Sequence, residues 1–63
     1  MKVTADKLRT REVRFWPHLA QDFYQERAAI MRFDGRMSHD DAEAAAWECT
    51  VKWWRGAYPD GME

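Results

Sequence analysis

At 63 residues and a net charge of −1, the chain has room for one domain at most and excludes a uniformly basic surface for nucleic acid. No apolar run approaches the ~20 residues of a membrane span, and the opening MKVTADKLRT lacks the apolar core of a signal peptide, so a cytoplasmic protein is expected. One cysteine, Cys49, excludes an internal disulfide and fits a reducing compartment.

A domain this small buries only ~60% of its unfolded surface. Disulfides, metals or self-association usually make up the deficit. With no disulfide and few metal ligands, self-association or a stable partner is the expected source. The 46% hydrophobic content, including four tryptophans, suffices for a packed core. Charge is uneven along the chain. Residues 1–15 carry five bases against two acids, and residues 34–48 carry five acids against one base.

In chain order, Thr4 is a candidate N-cap for a first helix over residues 5–15. Leu8 and Phe15 mark a thin apolar stripe on it, opposite Lys7, Arg11 and Arg14. A competing reading makes Val13 to Trp16 extended, because Pro17 disfavours helix at the residue before it. Pro17 then opens a second helix over 17–33. Leu19, Phe23, Ile30 and Phe33 share one face of it, widened by Ala20, Tyr24 and Met31. Asp34-Gly35 ends that helix, with the glycine expected to take the left-handed backbone.

Ser38 caps a third helix over 39–55, and Gly56 stops it. Acidic side chains at Asp40, Asp41 and Glu43 suit the positive end of its dipole. Residues 57–63 read as a turn and a frayed tail. The short connection makes helices two and three antiparallel neighbours. The expected fold is therefore all-α, three helices built on an antiparallel helical hairpin.

Helix three carries two apolar stripes. Ala42, Ala45, Ala46, Cys49 and Trp53 form one; Trp47, Val51 and Trp54 form the other. Helix two can cover only one of them. Helix one, a second copy or a foreign partner must meet the other, and tryptophan is enriched in interface hot spots. Arg27 lies inside the apolar arc of helix two, so its charge must snorkel, bridge to Asp34, Asp41 or Glu43, or reach a partner. Trp47, Val51, Trp54, Arg27 and Tyr24 are the candidate protein-contact residues.

Lys7, Arg11 and Arg14 are the candidate nucleic-acid contacts, with Phe15, Trp16 and Tyr24 near enough for stacking. Three phosphate contacts alone give weak, salt-sensitive binding. His39 and Glu43, spaced i, i+4 with Asp40 beside them, fall short of the four ligands of a structural zinc, so a capped, solvated helix start is expected there. No nucleophile–base set or glycine-rich phosphate loop stands out. The chain is expected to have no catalytic residues, metal or cofactor.

Residues 16–46, WPHLAQDFYQERAAIMRFDGRMSHDDAEAAA, resemble a segment found in small proteins of phages, plasmids and integrated elements. It also occurs as a tail on primase-like mobile-element proteins. The matching positions are Trp16-Pro17, Phe23, Glu26 to Met31, Asp34-Gly35, Ser38 and Ala42-Glu43. The resemblance implies a helical hairpin and a mobile-element origin, without a settled activity. This chain departs from the pattern at Arg32, where an acid is usual, at Arg36, where a second glycine is usual, and at His39, where arginine is typical.

The expected function is thus a small phage or mobile-element protein that binds a host protein complex and blocks it, an inhibitor of bacterial defence of the anti-CRISPR kind being its concrete form. A nucleic-acid-binding accessory factor is the first alternative, and a structural homodimer or small regulator the second.

Overall fold

The computed structural model describes residues 2–62. The fold is all-α. Three helices follow one another: α1 (Ala5–Arg9), α2 (His18–Phe33) and α3 (His39–Ala57), with a single 3-10 turn, Val13–Phe15, between the first two. The two long helices form the antiparallel hairpin. Among the described residues there is no strand, only an isolated antiparallel bridge between Val3 and Met62.

Both side-chain caps form where the sequence places them. Thr4 Oγ1 accepts the Lys7 backbone N–H at 3.3 Å, and Ser38 Oγ accepts that of Asp41 at 3.2 Å. Helix α1, however, stops at Arg9, not at residue 15. A continuing helix would offer the Leu8 carbonyl to the N–H of Glu12. That carbonyl instead receives the Arg11 N–H at 3.2 Å and the indole N–H of Trp16 at 2.9 Å. Trp16 is extended, as a residue before proline should be. Val13 to Phe15 is nevertheless a helical turn, so the extended alternative fails there too. Pro17 sits at the N-cap of α2, one residue outside the helix.

The glycines also differ from expectation. Gly35 does not take the left-handed conformation; Arg36 does, at φ 55°. Gly35 is needed for proximity, since a Cβ there would lie 2.8 Å from the Met31 carbonyl oxygen. Gly56 does not stop α3, which runs on to Ala57. The left-handed glycine of this region is Gly61, at φ 92°. It turns the tail back onto the N-terminal segment, where Val3 and Met62 exchange backbone hydrogen bonds of 2.7 and 2.9 Å. The expected frayed tail is in fact pinned, at least as far as Met62.

The core gathers Ala5, Leu8, Trp16, Ala20, Val51 and Trp54, with Tyr24, Trp47, Trp53 and Tyr58 packed at its rim. All of it lies at one end of the hairpin, where α1, the start of α2 and the end of α3 meet. Towards the turn the buried apolar residues are Ala46 and Ala42 of α3. Such short side chains admit close approach of the two helix axes. Helix α2 accordingly buries Ala20 completely and Tyr24, Ala28 and Met31 in part. The expected core face of Leu19, Ile30 and Phe33 is rotated outward instead. Only Phe23 of that set turns back, stacking on Trp53 at a centroid distance of 4.2 Å.

Candidate functional site

The two tryptophans that cap the ends of the core are fasteners. Trp54 is fully buried, and its indole N–H donates to the Val3 carbonyl at 2.8 Å. Trp16 donates to the carbonyls of Leu8 and Arg11 at 2.9 and 3.3 Å. Each indole therefore ties a helix terminus to the N-terminal segment while burying a large apolar body. Val51 is likewise fully covered. Neither Trp54 nor Val51 is available to a partner. The second stripe of α3 is covered at these positions by α1 and the residues around it.

Trp47 keeps part of its surface. Its ring lies 6.1 Å from that of Trp16, and the Arg9 guanidinium sits 5.3 Å above it. Arg9 also makes a two-pronged ion pair with Glu48, at 3.2 and 3.0 Å. The hydrogen bonds from Arg9 hold the Glu48 carboxyl below its ordinary range, and the same bonds raise the Arg9 guanidinium. Tyr24 meets the edge of Trp16 at 5.9 Å. Burial, then the nearby Glu43 carboxylate, pushes its phenol up. Trp47 and Tyr24 thus line one half-buried aromatic seam around Trp16.

Arg27 is exposed and lies 5.2 Å over the Phe23 ring. The expected bridge to Asp34, Asp41 or Glu43 is not made; among the described residues Arg27 enters no ion pair. With the apolar arc turned outward, its head reaches water directly.

Lys7, Arg11 and Arg14 do not share the helical face expected of them, because α1 ends between them. Lys7 Nζ donates to the Lys2 carbonyl at 2.7 Å. Arg14 pairs with Glu12 at 2.8 Å and lies 4.9 Å over Phe15. Arg11 and Phe15 line an open hollow of about 490 Å³ with Thr10 and Glu12.

At the start of α3, His39 Nδ1 stands 3.7 Å from Asp40 and 3.5 Å from Glu43. The donor atoms lie within 4.8 Å of one another, but His39 and Asp40 are solvent-exposed. Three ligands at an open helix start are fewer than a structural zinc takes. Cys49 is half-buried on α3.

The surface that sequence reasoning missed runs along the outside of α2. Leu19, Ile30 and Phe33 are exposed to 41%, 40% and 75%, and Met37 just beyond the helix to 37%. At about 100° per residue, Leu19, Glu26, Ile30 and Phe33 follow one line down the helix. One signal could have revealed it. Glu26 sits seven residues from both Leu19 and Phe33, in the middle of the face assigned to the core, where an unpaired carboxylate would be costly. The carboxylate marks the stripe as a wet face.

No helix among the described residues is long and apolar enough to cross a membrane. Comparison of the chain with protein-family models, with curated proteins and with solved structures returns no match.

Proposed function

We propose that this chain is a small binding protein of a phage or other mobile element, which acts by occupying a surface on a host protein complex. Inhibition of a bacterial defence system, of the anti-CRISPR kind, is the concrete form of that reading. The mobile-element origin rests on the Trp16–Ala46 segment. The mode of action rests on one observation: Leu19, Ile30 and Phe33 on the outer face of α2 turn to solvent, with Phe33 three-quarters exposed. Large apolar side chains gathered on one exposed helix face, here on either side of Glu26, offer a surface to a protein partner. The contact moves accordingly from Trp54 and Val51, which are sealed, to Leu19, Ile30, Phe33 and Met37, with Arg27 on the border.

The test is affinity capture from bacterial lysate with wild type and with the double variant Ile30→Glu, Phe33→Glu. A defined set of proteins should be retained by wild type and lost by the variant. Identical recovery by the two overturns the reading. Both positions are exposed, so the helical circular-dichroism signal should be the same for both proteins.

A further inference from the structure

We infer that the hollow between the end of α1 and the 3-10 turn binds a nucleotide unit, its phosphate at Arg11 and its base against Phe15. A free mononucleotide and a single nucleic-acid strand share that chemistry. This site is separate from the host-protein reading and uses no residue of the α2 face. It is a product of the local fold. Helix α1 stops at Arg9, and the Trp16 indole reaches back to the Leu8 carbonyl at 2.9 Å. Trp16 is thereby drawn inward, to 3% exposure, while Phe15 beside it is turned out, to 61%. Thr10, Arg11, Glu12 and Phe15 then line about 490 Å³ of open space. That lies within the ~300–1,000 Å³ of small-ligand sites, and the open side suits a ligand that keeps one edge in water.

Three observations identify the occupant. The first is an uncommitted cation. Arg11 is exposed, and among the described residues it enters no ion pair. Its planar fork matches a phosphate. The second is that no free acid competes for it. Residues 1–15 carry five bases and two acids, and both acids are held by arginines: Glu12 by Arg14 at 2.8 Å and Asp6 by Arg55 at 3.5 Å. The field over the hollow therefore favours an anion. The third is the aromatic wall. The Arg14 guanidinium lies 4.9 Å over Phe15 and covers one face; the rest of the ring lines the hollow. Bases of any identity stack on such a ring. Thr10 donates its hydroxyl proton to the Lys7 carbonyl at 3.0 Å, which leaves its oxygen to accept from a ribose hydroxyl. A bare anion would use Arg11 and leave Phe15 in water; a ligand both anionic and aromatic uses both.

NMR titration of the isotope-labelled full chain tests this with three probes: AMP, phosphorylated hexathymidine and inorganic phosphate. AMP and the strand should shift the Arg11 and Phe15 resonances with a Kd on the order of 1 mM or tighter, and inorganic phosphate should bind at least about tenfold more weakly. A strand bound more tightly than AMP by about tenfold or more assigns the site to nucleic acid, and a smaller ratio assigns it to the free nucleotide. Phe15→Ala should weaken the strand by about tenfold and leave its salt dependence unchanged, whereas Arg11→Gln should also flatten the slope of log K against log[salt] by about 0.7. Both side chains are exposed, so the circular-dichroism spectrum should not change in either variant. No shift at ~10 mM of either nucleotide probe overturns the site, as does inorganic phosphate bound as tightly as AMP, or a Phe15→Ala variant that binds as wild type does. The double variant Ile30→Glu, Phe33→Glu should bind nucleotide normally, so loss of this site and loss of the host partner are read separately.

Discussion

The two ends of the hairpin are built on different principles. At the open end, α2 and α3 are crossed by the N-terminal segment and the C-terminal tail, and the large buried residues Trp54, Leu8 and Val51 are found there. Indole hydrogen bonds and the Val3–Met62 bridge tie four stretches of chain together. At the turn end the two helices stand alone. Two helices side by side have no third element there to cover the outer face of α2, so Ile30 and Phe33 remain in water. The difference teaches where each kind of residue resides: the tryptophans hold the fold, and the large apolar side chains left in water are aliphatic, methionine and phenylalanine.

The largest effect expected from breaking this contrast is at Trp54. Trp54→Ala should destabilise the protein by about 3–5 kcal/mol, enough to unfold much of so small a domain, whereas Phe33→Ala should change stability by no more than ~0.5 kcal/mol. Urea denaturation followed by circular dichroism measures both. Comparable losses would mean that the turn end is packed like the open end.

At the turn itself the backbone holds a smaller reserve. Arg36 is a non-glycine residue at φ 55°, and its left-handed conformation is strained by ~1 kcal/mol or more. Arg36→Gly removes that strain but adds freedom to the unfolded chain. A net gain of ~0.5 kcal/mol is expected, read as a rise in thermal midpoint.

The smallest effect is electrostatic and belongs to the open end. Glu48, paired with Arg9, titrates below its ordinary range when folded. Its contribution is therefore present above the unfolded carboxylate value and is lost as pH falls through the depressed folded value. Both side chains are substantially exposed, so solvent screens the pair and the contribution is small. The difference in thermal midpoint between wild type and Glu48→Gln should shrink as pH is lowered from 7 to ~3. A difference independent of pH would show that the pair adds nothing measurable to the fold.

Local chemistry was legible in the chain. Thr4 and Ser38 announce helix starts because a hydroxyl before a helix satisfies a free N–H wherever the chain goes next. The helical hairpin followed from periodicity and one short connection. Residue exposure was only partly legible. The count of apolar faces on α3 correctly required something to cover Val51 and Trp54, but sequence alone left open whether that cover was α1, a copy or a stranger. Periodicity likewise collected Leu19, Phe23, Ile30 and Phe33 on one face without saying that the neighbouring alanine face would win the contact.

What the sequence determined by itself was the all-α character, both side-chain caps and the antiparallel order of the long helices, because these depend on interactions within a few residues. Tertiary structure alone decided that α1 ends at Arg9, that the tail is pinned to Val3, and that α2 turns its bulky line to solvent. Each of those outcomes depends on which distant groups reach a site first: the Trp16 indole at the Leu8 carbonyl, the Met62 backbone beside Val3, and the short alanines at the helix contact.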